Sequence, residues 1–177
     1  MDGKHLVNLI SRLLRTTDPR AALRPLWHRT VEISREPEWY ATCGVADTVP
    51  GRFDMVTTVL SLVLLRLEQA QRGAETALLT ELFVEDMDGQ LRESGVGDVV
   101  VGKHVGKLMA TLGGRLGAYR AALAEDDDDG ALAEAVRRNV TVNEGVGPEP
   151  LAKRLRELAD RLAATEADEL LAGRIGR

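Results

Sequence analysis

Aromatic side chains are almost missing from this sequence: two each of Phe, Trp and Tyr in 177 residues, or 3%. Its core must therefore be filled by Leu, Val and Ala, which favours helices packed through aliphatic side chains. Cysteine is scarcer still. The single Cys43 excludes an internal disulfide and any cysteine-cluster metal site, and it reads as a small buried hydrophobe. Histidine is limited to His5, His28 and His104, and none stands three residues after Glu81 or Glu85, as a di-iron bundle would need. Long apolar runs are lacking too. Met55–Leu65 is interrupted by Thr57, Thr58 and Ser61 and is far shorter than the roughly 20 residues a membrane-spanning helix takes. It is expected to be a buried core helix. Period-two alternation persists nowhere, so strands are not expected.

What is present is helical spacing. Leu6, Leu9, Ile10, Leu13 and Leu14 share one face of a first helix. Asp18 followed by Pro19 is a capping residue before a first-turn proline, and Pro25 and Pro37 divide the next region into short helical pieces. Gly44 ends that stretch, and Asp47–Gly51 reads as a loop. The spacing predicts a long helix from about Arg52 to Arg72, stopped by Gly73, and another from about Glu75 to Ser94. Gly95 stands where a left-handed residue is wanted, and Asp98 caps a helix reaching about Ala124. A short helix from about Ala131 to Val140 and a last one from Pro150 complete the chain. The expected fold is all-α: one compact domain, residues 1–177, of about seven to nine helices, without internal repeats.

Hydrophobic content of 44% and charged content of 29% are those of a globular protein, and the net charge of −5 argues against non-specific nucleic-acid binding. The charge is uneven: residues 1–29 carry +4, through Lys4, Arg12, Arg15, Arg20, Arg24 and Arg29 against Asp2 and Asp18. This basic arm is a solvated helix face or a contact for anionic lipid or RNA. Catalytic constellations are thin. Gly95-Val96-Gly97 does not follow a strand, so it is no dinucleotide fingerprint. Asp126–Asp129 lacks the alternating ligands of an EF-hand, and Asp129 is expected near the positive end of the next helix. No cofactor, metal site or catalytic residue is assigned. Without a secretory h-region, a cytoplasmic location is expected, with peripheral contact at the inner face of the membrane also open.

Two blocks go beyond generic packing. Gly44-Val45-Ala46-Asp47-Thr48-Val49-Pro50-Gly51-Arg52-Phe53-Asp54 and the run from Phe83 to Asp98 resemble the signatures of the ubiquinol–cytochrome c chaperone family, assembly factors for cytochrome b of the respiratory bc1 complex. The resemblance spans roughly Leu26 to Val140. Asp47, Thr48, Gly51, Arg52 and Phe53 carry the first block. Asp86, Leu91, Arg92, Gly95, Gly97, Asp98, Val101, Lys103, Arg115 and Tyr119 carry the second and its helix, and Arg138 and Asn139 add a small match. It implies an all-helical, non-enzymatic protein that holds newly made cytochrome b or another bc1 assembly intermediate. Mitochondrial members act with a small partner at the ribosome exit and carry a presequence. The sequence favours the bacterial kind, with the ribosome or a small partner protein left as further candidates.

Candidate partner contacts are Arg52, Phe53, Asp86, Arg92, Asp98 and Lys103, with Gly106, Lys107, Gly113, Arg115 and Tyr119 on the following helix. Asp47, Thr48, Gly51, Gly95 and Gly97 are read as structural. Arg52 is expected to be structural first, bridging loop and helix start through Asp47 and Asp54. Gly102, Gly106, Gly113 and Gly117 fall on one stripe of their helix at ~100° per residue. Small residues let a second backbone approach, and two readings stand: packing inside the domain, or a groove for a partner helix. Two other function classes stay open: a helical enzyme acting on an isoprenoid- or quinone-like substrate, and an RNA or ribosome adaptor using the basic arm.

Overall fold

The computed structural model describes residues 18–93, 98–125 and 129–176, with backbone alone at 91–93 and 98–103. The first expected helix, with Lys4, Arg12 and Arg15, lies outside them, as do Gly95 and Gly97. So do the side chains of Arg92, Asp98, Val101 and Lys103. A 3-10 turn, Pro19–Leu23, leads into α1 (Arg24–Ser34), α2 (Pro37–Ala41), α3 (Val49–Gln69), α4 (Gly73–Glu93), α5 (Asp98–Ala124), α6 (Gly130–Asn139), α7 (Glu149–Ala164) and α8 (Ala167–Leu171). The all-α expectation holds. The only bridge among the described residues is an isolated pair, Val45 with Val142.

α3 is the axis of the fold. From Asp54 to Leu65 every residue is buried, and α1, α4, α5 and α7 surround it. A helix buried on every side belongs in a core, and two of its polar members bond within the helix. Thr57 Oγ1 donates to the Phe53 carbonyl (2.9 Å), and Ser61 Oγ to that of Thr57 (2.7 Å). The scarce aromatics are spent at depth. Trp39 is fully buried and donates its indole N–H to the Ile33 carbonyl, while Trp27 meets Phe83 edge-on at 6.1 Å. No helix among the described residues is long and apolar enough to cross a membrane.

Several element ends differ from expectation. Asp18 does accept the Arg20 N–H (3.0 Å), but the turn it caps is 3-10. α3 begins at Val49, three residues before Arg52, because Thr48 accepts the Gly51 N–H (3.2 Å) and caps the helix there. Its C-terminal corner turns at Gln71, with φ +58°, and Gly73 begins α4 instead of stopping α3. The Arg72 N–H bonds the Leu67 carbonyl and the Gln71 N–H that of Glu68, both at 2.9 Å, a Schellman closure with a non-glycine left-handed residue. Asp129 precedes α6 but makes no side-chain cap. Its carboxylate instead takes Arg156 Nε at 2.7 Å.

Candidate functional site

The first block forms a loop and a helix start whose shape explains its residue types. Gly44 has φ +76°, a conformation open to glycine at little cost. At Gly51 a Cβ would stand 2.0 Å from the Ala46 carbonyl oxygen, so the loop closes onto the helix only over a bare α-carbon. A second loop, after α6, clasps the first: the Ala46 N–H donates to the Thr141 carbonyl (2.9 Å) and the Asn143 N–H to that of Gly44 (2.8 Å).

Beneath the loops lies a polar network. Asp54, 8% exposed, accepts Arg115 Nη2 on one oxygen and both the N–H (2.9 Å) and Oγ1 (2.7 Å) of Thr141 on the other. Arg115, also 8% exposed, donates further to Thr57 Oγ1 and lies 5.6 Å over the Phe53 ring. One turn on, Tyr119 is fully buried and shares a hydrogen bond with Thr58 (3.0 Å). Burial pushes the Tyr119 phenol up to about 12, the Thr58 bond opposing that rise. The first block, the helix after the second and the turn beside Arg138–Asn139 thus meet at a single carboxylate.

This corrects the expected roles. Arg115 and Tyr119, read as partner contacts, face inward, and half-buried Phe53 lies beneath the Arg115 guanidinium. Arg52 does not bridge to Asp54. Two residues apart on a helix they point about 200° away from each other, so Asp54 turns into the core and Arg52 out. Arg52 Nε donates to Asp47 (2.7 Å) on the surface, with both side chains more than half exposed, and that bond holds the Asp47 carboxyl below its ordinary range. Around them Arg35, Pro37, Tyr40 and Ala41 complete an open cavity of about 550 Å³, and neighbouring Val49 is 83% exposed. Sequence reasoning paired Asp54 with the wrong arginine and gave Thr57, Thr58 and Thr141 no role in a site. For Asp54, Thr57 and Thr58 the signal lies in the chain, since polar residues inside a buried helix must find partners; Thr141, in the loop after α6, has no such signal.

The outer face of α5 carries the glycine stripe. Gly106, Gly113 and Gly117 are exposed, with nothing within 4 Å of where a Cβ would stand, and Gly114 is alike. Among the described residues nothing packs on these glycines, and Gly102 lies beyond the described side chains. Exposed Met109 and Lys107 border the stripe, and exposed Asp86 lies apart on α4. Among the described residues no cluster of His, Cys, Asp or Glu is arranged to hold a metal ion. Buried Cys43 has its thiol pushed up by burial, the opposite of an activated nucleophile.

Residues 41–177 match the family model described as ubiquinol–cytochrome C chaperone, a span that starts later than the expected Leu26 and continues past Val140 to the last residue. The crystal structure of the Cbp3 homolog from Brucella abortus is similar throughout: 30% identity, TM-score 0.75, with 96% of this chain and 94% of that one covered. No curated protein matches the chain.

Proposed function

The chain belongs to the ubiquinol–cytochrome c chaperone family, and we propose that it is a non-enzymatic assembly factor that holds newly made cytochrome b before the bc1 complex forms. The supporting observation is the bare face of α5. From Gly106 to Gly117 the helix turns Gly106, Met109, Ala110, Gly113, Gly114 and Gly117 outward, and the stretch between Lys107 and Arg120 contains no acid. Glycine in a helix interior costs roughly 0.5–1 kcal/mol relative to alanine, and no described residue offsets that by packing on these positions. A bulky apolar helix laid along such a face brings its own side chains to the glycine backbone, the close approach used between membrane helices. Cytochrome b supplies helices of that kind. The protein works, on this reading, at the cytoplasmic side of the membrane as a peripheral factor.

The test is replacement of Gly106 and Gly113 by Leu in the full chain, followed by copurification from cells that make cytochrome b and by thermal melts. Because no described residue occupies the space above either position, the fold should survive with a melting temperature no lower than before while cytochrome b is lost. Retained cytochrome b in a folded variant would refute the assignment of this face.

A further inference from the structure

We propose that the trough between α4 and α5 receives a cationic amphipathic helix from a partner protein. Its floor is apolar, made by Val84 of α4 with Val105 and Met109 of α5, and Met109 is 42% exposed. Its rim is acidic: Glu81 and Glu85 stand one turn apart on α4, both exposed. The space over this floor is about 500 Å³ and widely open to solvent, room for the side chains of one helix face. A helix seated in a groove buries residues at its i, i+3, i+4 and i+7 positions and leaves its flanks at the rim.

The protein itself shows what the rim prefers. Arg20, reaching in from the 3-10 turn, brings its guanidinium to 3.3 Å from Glu85, while Asp18 holds its other edge at 2.9 Å. Arg20 feels both Glu85 and Glu81, yet among the described residues the lining holds three acids, Glu81, Glu85 and Asp88, against this one cation. Lys or Arg residues four apart on a partner helix match the spacing of Glu81 and Glu85, and attraction across such an exposed rim mainly sets encounter and register. This trough differs from the bare face of α5, which contains no acid, and the two share only Met109 at their border. The inference therefore does not rest on the cytochrome b reading.

The experiment titrates the full chain into a fluorescein-labelled Leu/Lys peptide of about 16 residues with helical spacing and reads anisotropy. A scrambled peptide of identical composition and a Leu/Glu peptide serve as comparisons. The amphipathic Leu/Lys peptide should bind at a single site. Glu81→Lys should weaken it about tenfold and Met109→Asp by at least as much, with far-UV spectra unchanged in both. Equal binding of the scrambled peptide, or affinity unmoved by either variant, would overturn the proposal. So would tighter peptide binding in the Arg12→Glu, Arg15→Glu variant of the full chain, since it would assign the trough to the chain's own N-terminal arm.

Discussion

Asp54 and Arg115 stand 61 positions apart in the chain and are each about nine-tenths buried. A buried carboxylate deprived of its cation costs about 3–5 kcal/mol, and Thr141 alone cannot neutralise the charge. Arg115→Met should therefore lower unfolding stability by that amount in urea. Adding Asp54→Asn to it should restore part of the loss, because the stranded charge is removed. Arg52→Ala is the contrast. Its partner Asp47 is largely exposed, so the pair contributes about 0–1 kcal/mol at most, and the melting temperature should barely move. A large loss from Arg52→Ala with none from Arg115→Met would reverse this assignment.

Tyr119 carries a pH dependence whose sign follows from its environment. Its folded pKa of about 12 lies above the unfolded value near 10, so the folded state holds the phenolic proton more tightly. That stability is fully present below about pH 10 and disappears as pH rises through about 12, at most roughly 3 kcal/mol. Denaturation at successive alkaline pH values should show the decline, and Tyr119→Phe should flatten it. The same variant should lose about 0.5–1.5 kcal/mol near neutrality with the Thr58 bond.

At the level of the helix, α5 is two-sided in an unusual sense. Leu112, Arg115, Tyr119 and Ala122 point inward, while the glycines look outward with no described residue against them. Gly117→Ala should raise stability by about 0.5–1 kcal/mol, since it restricts the unfolded chain and meets no described residue in the folded one. A loss measured by urea denaturation would mean that another part of the domain lies against that position. Helix ends show a second kind of logic. The last carbonyls of a helix lack internal partners, and here arginines from other helices supply them. Arg66 of α3 donates to Leu162 (2.9 Å) and Thr165 (2.8 Å) at the end of α7. Arg156 of α7 donates to Leu123 (3.3 Å) at the end of α5 and pairs with Asp129. Neither role has a local sequence signal, because donor and acceptor are dozens of residues apart.

Across the whole molecule, much is legible in the order of residues alone. Asp18, Pro25 and Pro37 mark element starts because capping chemistry is local. The apolar run from Met55 reads as a core helix because no face of it is left for water. A composition poor in aromatics points to aliphatic helix packing, and the two signature blocks point to the family that residues 41–177 match. Only the tertiary structure decided which cation Asp54 takes, that Arg115 and not Arg52 is that cation, and that no described residue covers the glycine face of α5. The reason is physical. Helical periodicity states which residues share a face, but a stripe of glycines reads the same whether a second helix covers it or not. An acid in a helix likewise has several cations at matching distance in sequence space, and folding alone brings one of them to it.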